Sequence, residues 1–184
     1  MGQPKALLPL QDKPAILHCL TPLLHGSVQE IIVILGGGNE PAAAHLKDMS
    51  LKIMYNTIPN SDMAKSVRLG LQAMSPQCGA ALICLVDHPL VQPQTIKQIV
   101  AAGLEQPEKI IIPTYQERRG HPTLFPRRLL QETYQGLHLQ AIIQRHPDRV
   151  VLLPVSDEGV VLEMDTPEEY QAICRRLEEK NSGQ

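Results

Sequence analysis

Aromatic side chains are scarce: the 184 residues contain no Trp, one Phe and four Tyr. That is too few for the stacking platforms that bind single-stranded nucleic acid. An excess of one charge is also missing. Seventeen Lys and Arg face nineteen Asp and Glu, a formal net charge of -2, so there is no global basic field and no nucleic-acid partner is expected. No apolar run approaches the ~18–20 residues that span a bilayer. The longest runs, Ile31–Leu35 and Ala80–Val86, have the length of strands, and no membrane association is expected. A secretory leader is not expected either, because the apolar patch after Lys5 is broken by Pro9 and Asp12. The four cysteines, Cys19, Cys78, Cys84 and Cys174, show no C-x-x-C spacing and sit among apolar neighbours. Buried free thiols in a reducing, cytoplasmic setting are the reading.

What is present fits one globular domain. Hydrophobic residues make up 43% and charged residues 20% of the chain, outside the range of disordered sequences. Short β-branched runs alternate with helical patterns, which predicts an α/β fold with a mostly parallel sheet. The candidate strands are 30–35, 51–54, 80–86, 109–112, 150–153 and 160–164. The run 80–86, apolar on both faces, is expected to be the most deeply buried. Helices are expected from Pro14 to about His25, with Pro22 kinking it or ending it early, and after a Ser61 or Asp62 cap with Met63, Val67, Leu71 and Met74 on one face. Pro93 opens a third, and Thr166-Pro167-Glu168-Glu169 reads as a capping box opening the last. The domain is taken as 1–177, with 178–184 a polar tail.

Two carboxylates stand out by position. Asp87 follows the run 80–86, and Asp165 follows the run 160–164. Ligands of open α/β sheets bind at the carboxyl ends of strands, so both are expected to face one crevice and hold Mg²⁺. The plainer alternatives are that Asp165 favours a helix N-terminus and that Asp87 caps a turn. Lys5, set by Pro4 in a glycine-containing opening, suits phosphate oxygens as a point charge. Gly36-Gly37-Gly38 lacks dinucleotide spacing and reads as a flexible turn. Arg118-Arg119-Gly120-His121-Pro122 is a basic turn suited to phosphate or an exposed hairpin tip. His18, His45 and His88 have no partner at metal spacing, which disfavours zinc.

Five segments in order resemble the molybdenum-cofactor nucleotidyltransferase family, in particular its cytidylyl branch with a MobA-like NTP transferase domain. Met1-Gly2-Gln3-Pro4-Lys5 is similar to the end of the family's glycine-rich R-M-G-x-P-K loop, and Ser61–Leu71 to its G-M-x-x-S segment. Leu85–Val91, with Asp87-His88-Pro89 at its centre, resembles the metal-binding G-D-Q-P motif, Arg119–Phe125 resembles R-G-H-P-V-L-F, and Glu163–Tyr170 resembles the closing D-I-D-T-P-E-D-Y. Where cytidylyl members carry G-D-x-G-x-R, this chain has Gly136-Leu137-His138-Leu139-Gln140-Ala141.

The resemblance implies a single-domain, three-layer Rossmann-like nucleotidyltransferase fold. It also implies transfer of CMP, or less readily GMP, from the NTP to the phosphate of the molybdenum-pterin cofactor, with release of pyrophosphate. CTP would be the favoured nucleotide, a phosphorylated pterin the acceptor, and a molybdoenzyme a partner. In that reading Asp87 and Asp165 hold Mg²⁺ and Lys5 neutralises the triphosphate. Ser66 positions the nucleotide, and Arg119, Gly120 and His121 face the acceptor. The alternatives are transfer to a sugar phosphate or another small phosphate, or a member that binds nucleotide or a partner without turnover. Because the resemblance begins at the end of the glycine-rich loop, the family's first strand is expected to be missing, leaving the runs 30–35 and 80–86 with unpaired backbone edges.

Overall fold

The computed structural model describes residues 4–59 and 62–182. Met1, Gly2, Gln3 and the candidate cap Ser61 lie outside them. Among the described residues five of the six expected runs form strands, with shifted ends, and four short strands not expected join them: β1 (Pro9–Leu10), β2 (Lys13–Pro14), β3 (Ile32–Gly36), β4 (Lys52–Asn56), β5 (Ala80–Ile83), β6 (Ile110–Tyr115), β7 (Arg118–Arg119), β8 (Thr123–Pro126) and β9 (Val150–Pro154). β1 and β2 make a small antiparallel hairpin. β3 and β4 pair in parallel from Ile32↔Lys52 to Gly36↔Asn56 and form their own two-stranded sheet.

The remaining strands form a mixed sheet rather than the mostly parallel one expected. β5 pairs antiparallel with β8, β8 antiparallel with β6, and β6 antiparallel with β7, while β9 runs parallel to β6. The reason is chain length. Only a short stretch separates β6 from β8, and it turns through Gln116 and Glu117, both at positive φ. A parallel return needs a crossover of about a dozen residues or more. Among the described residues β3 and β5 each pair on one side only and lie in separate sheets.

Burial also departs from expectation. The strand β5 ends at Ile83 and is half-buried along its length, whereas β6 is buried from Ile110 to Thr114 and β8 throughout. With one flank unpaired, β5 cannot be covered as an interior strand. The run 160–164 forms no strand; a 3-10 turn, Glu158–Val161, takes its place. The carboxylate of Asp157 closes that turn, accepting from the backbone N–H of Gly159 at 3.0 Å and of Gln92 at 2.8 Å and from Thr95 Oγ1 at 2.7 Å.

Among the described residues six α-helices complete the fold: α1 (Ala15–Leu24), α2 (Met63–Ala73), α3 (Pro93–Glu105), α4 (Arg127–Leu130), α5 (Leu139–Arg145) and α6 (Pro167–Ser182). α1 continues through Pro22, which is buried, and ends two residues later. Asp62 caps α2 by accepting from Lys65 N at 2.8 Å. Val67 and Leu71 then pack with Met74, Ile110, Ile112 and Phe125 in the main core. Met63, expected on that face, is half-exposed because it opens the helix beyond the edge of the core. The capping box of α6 forms as read: Thr166 N donates to Glu169 Oε2 at 2.9 Å and Glu169 N to Thr166 Oγ1 at 3.2 Å. α6 runs on through 178–182, the stretch read as a tail. The cysteines are unpaired, but Cys84 is exposed and the others half-buried, because Cys84 follows the half-covered β5. Among the described residues no helix is long and apolar enough to cross a membrane.

Candidate active site

Lys5 begins a short 3-10 turn, Lys5–Leu7. A neighbouring loop holds that turn. Gly37 and Gly38 adopt φ of +63° and +90°, which side-chain-bearing residues rarely accept. They bring Asn39 back so that its Nδ2 donates to Gly36 O at 3.0 Å and its Oδ1 accepts from Ala6 N at 3.2 Å. The glycine run is thus a bracket for the lysine segment rather than a loose turn. Asn39 was not singled out from sequence, where nothing marks it apart from any polar loop residue.

Asp87 and Asp165 come to the same place. The Lys5 ammonium lies 3.6 Å from Asp87 Oδ2 and donates a hydrogen bond to Asp165 Oδ1. The backbone joins the two segments as well, since Met164 N donates to Asp87 O at 3.1 Å. Asp165 follows a 3-10 turn and a short extended stretch, not a strand, and its N–H donates to Glu169 Oε2 at 2.9 Å. The capping glutamate therefore also orients the aspartate. Burial of Lys5 works to lower its pKa, but the hydrogen bond to Asp165 and the charges of Asp87 and Asp165 outweigh it and hold the ammonium above its ordinary range.

Behind Asp87 sits a feature that spacing along the chain did not reveal. His88, 7% exposed, packs its ring against that of His121, with centroids 4.9 Å apart and planes at 49°. Burial pushes both imidazoles to lower pKa; the Asp87 charge opposes this at His88, and at His121 the neighbouring His88 reinforces it. Both rings are thereby kept neutral near pH 7. Asp87 Oδ1, His88 Nδ1 and His121 Nδ1 are buried and have no hydrogen-bond partner among the described residues. Buried polar atoms are normally paired, so these adjoining atoms have bonding capacity left for water or a ligand, with His88 Nε2 3.9 Å from Asp87 Oδ1.

The basic turn divides in two. Gly120 N donates to Pro113 O at 2.8 Å and His121 N to Val160 O at 2.8 Å, which ties the turn to the segment leading into Asp165. A Cβ on Gly120 would stand 2.3 Å from Val160 O, so only glycine permits this approach. His121 is drawn toward Asp87 in this way. Arg119 instead is exposed on β7, opposite Thr114, and makes no ion pair with the cluster. Ser66 lies on α2, its Oγ accepting from Asn56 Nδ2 at 3.0 Å. Buried Asn56 ends β4 beside Gly36, so Ser66 stands at the adjacent strand end without touching Lys5, Asp87 or Asp165. The departure at Gly136–Ala141 has a structural counterpart: His138 Nδ1 accepts from Ala141 N at 3.1 Å and caps α5.

Among the described residues no three His, Cys, Asp or Glu side chains converge as a metal cage. Two carboxylates converging on one cation is a different arrangement. It suits an ion that takes one or two carboxylates and completes its shell with water and phosphate oxygens, as Mg²⁺ does.

The family model described as "MobA-like NTP transferase domain" matches residues 1–150. The chain is 24% identical over 158 residues to 2-C-methyl-D-erythritol 4-phosphate cytidylyltransferase of Streptomyces coelicolor, covering 83% of this chain and 53% of that protein. It is 30% identical over 104 residues to the bifunctional protein GlmU of Psychrobacter sp., covering 56% of this chain and 22% of that protein. The chain thus spans about half the length of the first relative and under a quarter of the second. Among solved structures, Rv0371c from Mycobacterium tuberculosis H37Rv superposes with a TM-score of 0.81 at 25% identity, over 95% of this chain and 91% of that one. A nucleotidyl transferase from Methanothermobacter superposes with a TM-score of 0.82 at 19% identity, over 96% and 86%. The fold is a Rossmannoid α/β nucleotidyltransferase fold with a mixed sheet.

Proposed function

The chain belongs to the MobA-like NTP transferase domain family, and from that premise we propose that it transfers a nucleotidyl group from an NTP to a phosphate acceptor, with CTP as donor and the molybdenum-pterin phosphate as acceptor. The observation that carries the reading is the convergence of Asp87 and Asp165 on the Lys5 ammonium. Such a reaction needs placement and charge neutralisation more than a covalent nucleophile. The acceptor phosphate oxygen attacks the α-phosphorus, the bond to the bridging oxygen breaks, and pyrophosphate leaves.

The residues present fit a divalent cation. They offer two hard oxygen donors with a cation already seated between them and a buried Asp87 Oδ1 that no protein group satisfies. Asp87 and Asp165 would hold Mg²⁺, which when bound polarises phosphoryl oxygens and offsets developing negative charge. Lys5 supplies a point charge to the triphosphate. Asn39 and the glycine run keep the root of that side chain in place, and Glu169 orients Asp165. Ser66, held by Asn56, positions the nucleotide from the neighbouring strand end. In this reading the neutral His88–His121 pair and the Gly120 turn form the acceptor wall, and Arg119, exposed on β7, offers its charge at the rim.

A second reading keeps the donor and changes the acceptor to a small polyol or sugar phosphate. Its support is the match to an erythritol-phosphate cytidylyltransferase across 83% of this chain. The test is pyrophosphate release from CTP, GTP and ATP with Mg²⁺ and either molybdopterin or 2-C-methyl-D-erythritol 4-phosphate. The proposal expects release from CTP with molybdopterin. Release only with the polyol phosphate establishes the second reading, better use of GTP overturns the donor, and no release with any pair overturns both.

A further inference from the structure

The Lys5 ammonium sits where a cation shared by Asp87 and Asp165 has to sit. Within the described residues its polar partners are those two carboxylates. An ammonium and a divalent cation held between two carboxylates repel each other and compete for the oxygens that face the gap, Asp87 Oδ2 and Asp165 Oδ1. Displacing the lysine is also hard for a free ion. The ammonium is tethered to a backbone that Asn39 clamps through Ala6, so it returns to the carboxylates at the high effective concentration of an intramolecular partner. The head group itself is free to leave. The Lys5 side chain is 35% exposed and Asp165 53%, and a flexible four-carbon stem lets the ammonium turn toward another anion.

We propose that Lys5 is a tethered counter-cation that keeps free divalent metal off Asp87 and Asp165, so that metal enters only together with the triphosphate that draws the ammonium away. The inference rests on the reading of Asp87 and Asp165 as metal ligands given above. A triphosphate offers several anionic oxygens, enough to engage both the lysine and the incoming ion. Arrival of nucleotide exchanges one set of partners for another and leaves no charge unpaired at any stage. Metal without nucleotide would have to expel the ammonium into water. The site therefore imposes an order: neither Mg²⁺ nor its substitutes load an empty active centre.

The experiment uses Mn²⁺ as probe, with free Mn²⁺ read by electron paramagnetic resonance, on the whole chain with and without CTP. Wild type, Lys5→Met, Lys5→Arg and Asp87→Asn are compared, with circular dichroism to show each is folded. Lys5→Gln stands in should the methionine variant fail to fold. The proposal expects wild type to bind Mn²⁺ weakly alone and more tightly with CTP. Lys5→Met should bind it alone at least ~10-fold more tightly than wild type, equivalent to ~1.4 kcal/mol, because no ammonium competes. Partial exposure of the site keeps the expected gain near this figure rather than higher. Lys5→Arg, which keeps the charge, should behave as wild type. If Lys5→Met binds no better than wild type, while wild type binds and Asp87→Asn abolishes binding, the gate is wrong and the metal site stands. If none of the folded proteins binds Mn²⁺ with or without CTP, the metal reading falls and the gate with it.

Discussion

Asp87 and Asp165 are joined twice, through the Lys5 ammonium that both carboxylates reach and through the backbone bond from Met164 N to Asp87 O at 3.1 Å. The second link fixes the approach of the two segments independently of any side chain. The carboxylates are therefore held together before substrate arrives, which is the preorganisation that phosphoryl-transfer chemistry requires.

Replacing Asp87 by Asn tests chemistry against folding. The amide keeps the shape and loses the charge. Pyrophosphate release should fall by ~100-fold or more, about 2.7 kcal/mol of transition-state stabilisation at 1.36 kcal/mol per tenfold. The melting temperature should stay within a few degrees of wild type. Unchanged turnover would count against a charged role for this residue.

Gly120→Ala tests the close approach that draws His121 inward. The added Cβ would lie 2.3 Å from Val160 O, a backbone atom that cannot rotate away. Overpacking of this kind costs ~1–3 kcal/mol, which in a chain of this size lowers the melting temperature by ~2–4 °C per kcal/mol. A melting temperature equal to wild type would show that the turn relaxes freely.

Acid stability follows from the histidine pair. His88 and His121 have pKa values lowered from an ordinary 6.5, so the unfolded chain binds protons that the folded chain does not. Their contribution is fully present above about pH 6.5 and is lost as pH falls through the folded values. Melting temperature should decline on acidification from pH 7 to pH 5, and His121→Asn should flatten that decline. An identical slope in the variant would remove His121 from the account.

How much of this was legible in the sequence depends on the range of the interactions. The capping box of α6 and the Asp62 cap are local, so Thr166, Glu169 and Asp62 announced themselves through spacing alone. The meeting of Asp87 and Asp165 was legible from their matching positions after apolar runs, whereas Lys5 joined them only through the family resemblance. The mixed sheet was not legible, because apolar runs look alike whether their neighbours run parallel or antiparallel. Only the shortness of the link from β6 to β8 hinted at the reversal. The run 160–164 is apolar enough for a strand, yet the buried carboxylate of Asp157 curls it into a turn through three distant or backbone donors. The His88–His121 pair was invisible for the same reason: a contact between rings made by the fold leaves no spacing signal.

The open edges of β3 and β5 make a prediction about protection. In the 184-residue chain, amides of β6, buried and paired on both sides with β8 and β9, should exchange slowly. Those of β3 and β5 that face away from β4 and β8 should exchange orders of magnitude faster. Uniform protection of β3, β5 and β6 would show that those edges are covered in solution.

The most direct test of the central claim is an anomalous-difference map from crystals of this protein grown with Mn²⁺ and CTP. The account predicts one strong peak between the carboxylates of Asp87 and Asp165, with the Lys5 ammonium moved onto the triphosphate. A peak elsewhere, or Lys5 still bridging the two aspartates beside bound nucleotide, would contradict it.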